Sequence, residues 1–244
     1  MTVCRMLPGM AIIEIRGLVK RFGAVEAVSG LSFDVEQGSV TGFLGANGAG
    51  KTTTLRILLG LVSPAAGTAH INGHAYAELS HPLHQVGAAL EASGFYPGRT
   101  ARDHLRILAL TAGVDPSRAE DVLDLVHLSD AAGRRVGGFS LGMRQRLGLA
   151  GALIADPEIL ILDEPANGLD PEGVRWLRDL LRGFAAEGGT VLVSSHILAE
   201  VAQTVDHVVI IDHGRLARQG SLAELTGNRD LESTYFDLTE GEPR

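Results

Sequence analysis

A glycine-rich loop that joins an apolar segment to a helix-like segment constrains this chain more than any other feature. The loop spans 45–53 and consists of Gly45, Ala46, Asn47, Gly48, Ala49, Gly50, Lys51, Thr52 and Thr53. Val40–Leu44 before it predicts a buried strand, and Thr54–Leu59 after it predicts the first turns of a helix. The three glycines let backbone N–H groups point inward at phosphate oxygens, where a helix N-terminus adds partial positive charge. This arrangement predicts a binding site for a nucleoside triphosphate.

Two side chains of the loop supply the cation and the hydroxyl that such a site needs. Lys51 is suited to the β- and γ-phosphates, and the Thr52 hydroxyl is suited to Mg²⁺. Lysine occurs at positions 20 and 51 of this sequence, among 21 basic residues, so the chain otherwise uses arginine. The competing interpretation is a glycine-rich turn that binds nothing. The agreement between the pattern and its strand–helix context favours the phosphate site.

Composition and charge narrow the remaining possibilities. The 244 residues suffice for one substantial domain with a subdomain, and 45% hydrophobic residues argue against disorder. A net charge of −8, with no basic block longer than two residues, argues against nucleic acid as the main ligand. Cys4 is the one cysteine of the sequence, so an internal disulfide is excluded and a reducing cytosol fits. No apolar run approaches the roughly 18 residues that span a bilayer, and we expect a soluble, cytosolic chain.

The order of the predicted elements indicates an α/β fold. The three strands predicted before the loop are Ala11–Ile15, a stretch around Ala27–Val35, and Ser39–Leu44. We expect an antiparallel β subdomain at the N-terminus. The apolar runs Ile159–Leu162 and Thr190–Ser194 have no polar side, which predicts strands buried on both faces of a mostly parallel sheet. The whole would form the core of a P-loop nucleoside triphosphatase.

The chain is organised as one domain with an insert. Apolar residues at helical spacing predict an inserted α-helical subdomain over about 92–155. The complete domain is expected over 11–226, and 1–10 would be a disordered lead in which Met10 is an alternative start. From 227 to 244 we expect a polar C-terminal tail.

Two acidic residues follow the buried strand Ile159–Leu162. Neighbouring side chains of a strand point in different directions, so Asp163 and Glu164 can perform different tasks. Asp163 would bind Mg²⁺, directly or through water, and Glu164 would polarise an attacking water. The alternative is a pair of acids that merely ends a strand. The phosphate loop upstream favours the functional interpretation.

Phe22 and His196 carry weaker signals when spacing alone is considered. Phe22 lies beside Gly23, where an aromatic ring can stack on a purine base but is more often a core residue, so spacing favours the core. His196 directly follows a predicted buried strand, at an edge of the sheet where ligands gather. Taken alone, a single loop histidine is more often structural or solvated.

Five motifs together resemble the ATPase subunits of ABC transporters over about 11–226. In chain order they are Gly45–Thr52, Phe139-Ser140-Leu141-Gly142-Met143, Ile159–Glu164, Gly168-Leu169-Asp170 and Ser194-Ser195-His196. The resemblance implies hydrolysis of ATP and a head-to-tail homodimer, or a pair with another ATPase subunit. Each ATP would lie between the phosphate loop of one subunit and the Ser140–Gly142 segment of the other.

The resemblance also assigns roles to individual residues. Phe22 would stack on the adenine ring, Glu164 would be the catalytic glutamate, and His196 would contact the γ-phosphate. Ser140 and Gly142 match the serine and second glycine of the family's Leu-Ser-Gly-Gly-Gln signature. The end of that motif is apolar in this sequence.

Glu91 departs from the family pattern, in which a glutamine that reaches Mg²⁺ is common. A carboxylate is also a Mg²⁺ ligand, so we expect Glu91 to keep metal coordination while its coupling to a membrane partner changes. The alternative is an ordinary loop glutamate. Ala166 replaces a frequent threonine, with little expected effect.

The segment Leu90–Pro97 resembles the exporter branch that includes bacitracin-type and other drug or peptide exporters. This implies a separate membrane permease, with the chain held peripherally on the cytoplasmic face of the membrane. The insert near Phe95 and Tyr96 would form the docking surface, although a core role for either ring is equally compatible with the sequence. The alternative function is a soluble ABC ATPase that acts on ribosomes or nucleic acid. Its usual features, two ATPase modules or a long coiled coil, do not appear in this sequence.

Overall fold

The computed structural model describes residues 11–90, 94–227 and 229–239. The strands are β1 (Ala11–Phe22), β2 (Val25–Glu36), β3 (Val40–Leu44), β4 (Ala66–Ile71), β5 (Val86–Ala89), β6 (Ile159–Asp163), β7 (Thr190–Ser195), β8 (His207–Asp212) and β9 (Arg215–Ser221). The α-helices are α1 (Lys51–Leu58), α2 (Pro82–Gln85), α3 (Ala101–Ala112), α4 (Arg118–Leu125), α5 (Leu141–Leu153), α6 (Pro171–Ala186), α7 (Leu198–Val201), α8 (Leu222–Thr226) and α9 (Leu231–Thr239). None of the helices in these ranges combines the length and apolar character that a membrane crossing requires.

A six-stranded sheet forms the centre of the molecule, in the order β5-β6-β7-β3-β8-β9. Adjacent strands of this sheet are parallel, except for β8 and β9, which are antiparallel. Strands β3, β6 and β7 are buried at every position, which explains why their sequences lack a polar alternation. Because β3, β6 and β7 are parallel neighbours, the residues that follow them meet at one edge of the sheet.

A second, antiparallel sheet has the order β2-β1-β4. The first strand continues to Phe22 instead of ending at Ile15, because an irregularity between Ile15 and Leu18 lets the pairing with β2 resume. Gly17 lies within this irregularity at a φ of 54°, a conformation that glycine adopts without strain. The two sheets confirm the predicted mostly parallel core and N-terminal antiparallel subdomain.

The inserted helical part of the predicted fold is formed by α3, α4 and α5. Their apolar faces share one core with the central sheet, through buried residues such as Leu105, Leu123 and Leu147. Thr100 begins α3 by accepting a hydrogen bond from the Asp103 N–H, a standard N-cap. The insert is therefore packed onto the same body that carries the phosphate loop.

The end of the described chain is more structured than its polar composition suggests. Helix α9 buries Leu231 and Thr234, and its Tyr235 packs against the main core. Together with Gly45, Ala46 and His196, this helix borders a cavity of about 400 Å³ beside the phosphate loop.

Candidate nucleotide site

The phosphate loop connects β3 to α1 and depends on glycine at its last turn. Gly50 has a φ of 104°, and a Cβ atom there would lie 2.4 Å from the Ala27 carbonyl oxygen. Any other residue would be strained and would also clash with backbone. Helix α1 begins directly at Lys51, and no side chain caps its N-terminus. The first N–H groups of α1 are therefore positioned to bind an anion.

Lys51 lies inside the loop with 5% of its side chain exposed. Its ammonium group donates to the Gly45 carbonyl at 2.6 Å and to the Ala46 carbonyl at 3.3 Å. A buried cation needs such partners, because desolvation without them is costly. The loop thus holds a positive charge at the place where phosphate oxygens would enter.

Asp163 joins the phosphate loop to the neighbouring strands. Thr52 Oγ1 donates to Asp163 Oδ2 at 2.6 Å, and the Ser194 hydroxyl donates to the other carboxylate oxygen. Asp163 is buried with 5% exposure. A hydroxyl and a carboxylate side by side are hard oxygen ligands, so the residues present fit a Mg²⁺ ion.

Glu164 stands between two basic groups. Its Oε1 lies 3.4 Å from Lys51 Nζ, and its Oε2 lies 2.7 Å from His196 Nδ1. Side-chain exposure is 19% for Glu164 and 39% for His196, so the pair opens toward solvent. Asp163 and Glu164 thus have separate partners, although Glu164 lies just beyond β6, where strand alternation no longer sets the side-chain direction.

The backbone of Glu164 is left-handed, with a φ of 50°. Residues with a Cβ rarely adopt this conformation, and where they do the surrounding structure must hold it. The Glu164 N–H faces the Ser194 hydroxyl at 3.0 Å and the Ser194 carbonyl at 3.2 Å. The Glu164 carbonyl accepts from Gln145 Nε2 at 3.2 Å.

Phe22 is not a core residue, contrary to the interpretation that spacing favoured. It ends β1 with 52% of its surface exposed, and the Lys20 ammonium lies 5.0 Å from its ring centroid. Hairpin ends project beyond the packed part of a sheet, which is why Phe22 is left open. The exposed ring is available for stacking, and its adenine-binding role remains a prediction.

Ser140 and Gly142 lie at the start of α5. Ser140 caps the helix by accepting from the Met143 N–H at 3.2 Å and is otherwise exposed. Within the described ranges, no hydrogen bond or ion pair joins either residue to the phosphate loop, Asp163 or His196. Glu91 lies outside the described residues, so its metal-binding role also remains a prediction.

The aromatic pair near the insert divides between surface and interior. Tyr96 is 67% exposed, whereas Phe95 is partly buried and packs edge-on against His104 at 5.1 Å. Tyr96 is therefore the more accessible of the two rings, with the Arg99 guanidinium 5.7 Å from its ring centroid.

Ser194 and Gln145 are the residues of the site whose roles sequence reasoning missed. Ser194 lies near the end of β7 and pairs with Asp163 at the end of β6. The available signal was that two predicted buried strands, one followed by acids and one ending in serines, were expected in the same parallel sheet. Gln145 has no such local signal, because it lies 19 positions before Glu164 on a different element.

A family-level sequence profile described as "ABC transporter" matches residues 28–167. Among curated relatives, a bacitracin transport ATP-binding protein, BcrA, of Bacillus licheniformis is 46% identical over 85% of this chain and 69% of its own length. BcrA of Enterococcus faecalis is 40% identical over 94% of this chain and 75% of its own length. A lantibiotic transport ATP-binding protein, SrtF, of Streptococcus pyogenes is 36% identical, over 92% of this chain and 96% of its own length.

Solved structures resemble the fold closely. The ATP-binding subunit of an ABC transporter superposes with a TM-score of 0.84 at 28% identity, over 93% of this chain and 99% of that one. A dimeric ABC transporter cassette superposes with a TM-score of 0.78 at 22% identity, over 86% of this chain and 98% of that one. At that lower identity the likeness concerns the fold alone.

Proposed function

This chain belongs to the ABC transporter family as an ATP-binding chain, and we propose that it hydrolyses ATP to ADP and phosphate to drive a separate membrane permease. The observation that carries the proposal is the convergence of Lys51, Glu164 and His196 at the carboxyl edge of the central sheet. These three groups provide a cation for phosphate, a carboxylate base and a second polar contact. They come from three separate segments of the chain.

Glu164 would act as the base that orients and deprotonates the attacking water. Its carboxylate is partly exposed, so water can reach it, and its contact with His196 Nδ1 at 2.7 Å fixes the direction of one oxygen. The other ring nitrogen of His196 would face the γ-phosphate as an N–H donor. Lys51 would leave its loop carbonyls and stabilise the charge that develops on the phosphate oxygens.

Thr52 and Asp163 would hold Mg²⁺, and Glu91 is proposed as a further ligand. When bound there, Mg²⁺ would supply positive charge that neutralises phosphate oxygens. The present hydrogen bond between Thr52 and Asp163 already brings both oxygens together. Ser194 would keep the Asp163 carboxylate in place through its hydroxyl.

A head-to-tail homodimer, or a pair with a related subunit, would complete the site. The exposed Ser140 would offer its hydroxyl proton to an anion, together with the first N–H groups of α5 that its side chain does not cap. Because Ser140 has no contact with its own phosphate loop in the described ranges, we place a partner's nucleotide at this segment. Phe22 would stack on the adenine of the nucleotide that is held by the phosphate loop of its own subunit.

The transported class is proposed from the relatives. Those described above are named for bacitracin and lantibiotic transport, so we propose export of a peptide antibiotic or a similar small molecule. The chain would lie peripherally on the cytoplasmic face of the membrane, with the exposed Tyr96 at the permease contact. No observation in the described structure favours the alternative of a soluble ATPase on ribosomes or nucleic acid.

A pull-down from native membranes tests the proposal directly. Tagged Glu164→Gln protein should bind ATP without hydrolysing it and should recover a multi-span membrane protein in stoichiometric amount. Lys51→Ala is the matched control, because it should lose nucleotide affinity and recover less of that partner. Recovery of ribosomes or nucleic-acid proteins in place of a membrane protein would refute the transport function.

A further inference from the structure

The unusual backbone of Glu164 is held from two directions. On one side, Ser194 of β7 accepts from the Glu164 N–H at 3.0 Å. On the other side, Gln145 of α5 donates to the Glu164 carbonyl at 3.2 Å. Since the left-handed conformation persists only where neighbours hold it, both contacts determine where the carboxylate points.

Gln145 is well placed to connect the position of the α5 start with the position of Glu164. The residue is only 9% exposed. If its amide lost the hydrogen bond to the Glu164 carbonyl, bulk water could not readily replace that acceptor, so losing the bond would cost free energy. It lies five positions after Ser140 on the same helix, and a helix moves as a rigid unit over so short a distance. A displacement of the α5 start therefore displaces the amide that holds Glu164.

A second contact one helical turn earlier strengthens the same connection. A Cβ at Gly142 would lie 2.6 Å from the Gly168 carbonyl oxygen, and a Cβ at Gly168 would lie 2.6 Å from Leu141 side-chain atoms. The start of α5 is thus pressed against the turn that follows Glu164. Gly142 and Gln145 are three positions apart, so they lie on one face of the helix.

We propose that Gln145 is a positioning residue that carries the placement of the Ser140–Gly142 segment to Glu164 of the same subunit. This rests on the proposed function, in which that segment contacts the nucleotide of the partner site. Binding of ATP at one site would then set the base of the other site in place. The two ATP sites become coupled through α5, with Gln145 as the link.

The experiment measures ATP hydrolysis by the purified full chain across a range of ATP and Mg²⁺ concentrations. Two variants remove the N–H donor that contacts the Glu164 carbonyl. Gln145→Met keeps the length of the side chain, and Gln145→Glu keeps its shape. We expect kcat to fall about tenfold in both variants, because the base is displaced from its productive geometry. We expect the ATP dissociation constant to stay unchanged and the Hill coefficient to fall toward one.

Gln85→Met is the matched control. Gln85 also donates its amide to a backbone carbonyl, that of Ser80, at 2.6 Å, but it lies on α2 before the edge strand β5. This variant should keep the wild-type kcat and Hill coefficient. Thermal unfolding of each protein separates loss of stability from loss of coupling, and Gln145→Asn provides a smaller change if Gln145→Met unfolds.

The outcomes separate the inference from the proposed function. A wild-type chain that binds no ATP, or hydrolyses none as a dimer, would refute the proposed function itself. An active wild type with a Hill coefficient of one would overturn the inference alone. The same holds if Gln145→Met and Gln145→Glu are folded and retain wild-type kcat and cooperativity.

Discussion

Two regions of the proposed site differ in how fully the chain pairs their polar groups. One is the phosphate half, formed by the phosphate loop with Lys51 and by Asp163 and Glu164, and the other is the Ser140–Gly142 segment. Lys51 and Asp163 are each 5% exposed and have carbonyl, hydroxyl or carboxylate partners within the chain. At the other location Ser140 is exposed and bonds its own helix, and the neighbouring Leu141 is 49% exposed.

The contrast concerns which polar groups one chain pairs by itself. Buried polar groups must be paired during folding, so the phosphate half is built by the chain itself. An exposed hydroxyl at a helix start is inexpensive to leave in water, which is compatible with the proposed contact to an anion from outside the chain. The contrast supports the proposal that ATP binds to one subunit and that a second subunit completes the site.

Glu164→Gln should have the largest effect on hydrolysis. The substitution removes the carboxylate base of the phosphate half and keeps the shape of the side chain. Loss of the base should lower kcat by about a thousandfold, while ATP affinity is retained. Hydrolysis assays and nucleotide-binding titrations on the same preparation check this. Turnover near the wild-type rate would remove Glu164 as the base.

Ser140→Asp tests the other half. An aspartate keeps the N-cap of α5, so stability should be preserved, but its charge repels a phosphate. We expect hydrolysis to fall by about a hundredfold, as when a group that contacts the reacting anion is lost. ATP binding to the isolated subunit should not change. Full activity together with dimer formation would contradict contact between Ser140 and nucleotide.

Phe22→Ala tests the proposed stacking of this ring on adenine. Loss of a stacking ring should raise the KM for ATP about fivefold with little change in kcat. Phe22→Tyr should behave as the wild type, because it keeps the aromatic face. Equal KM values for the alanine variant and the wild type would indicate that the ring contacts something other than adenine.

The smallest effect is a pH dependence of stability in the helical insert. Burial, with a further contribution from the Arg99 charge, lowers the pKa of His104 from its ordinary value of 6.5. The unfolded chain therefore binds this proton more readily, so stability present above pH 6.5 is lost as the pH falls through that value toward the lowered pKa. Urea unfolding between pH 5 and pH 8 should show a weaker acid loss for His104→Phe than for the wild type. Parallel curves for the two proteins would contradict the assignment.

Much of the fold was predictable from local patterns. The buried runs of β3, β6 and β7 have no polar side, and the glycine loop directly precedes a helix, so neighbouring residues alone indicate these elements. The end of β1 was less predictable, because Gly17 permits an irregularity after which pairing with β2 resumes. The structure of α9 also escaped prediction, since its burial depends on the core that it covers.

Local residue patterns were sufficient to predict the phosphate loop and the acidic pair Asp163 and Glu164. These depend on residue type at short spacing, where steric limits on the backbone and the periodicity of burial act directly. Tertiary packing was needed to show that Glu164 is left-handed, that Ser194 contacts both acids, and that Gln145 reaches the Glu164 carbonyl. Those contacts join residues 19 to 31 positions apart, and they exist because strand order and helix packing bring distant segments to one edge of the sheet.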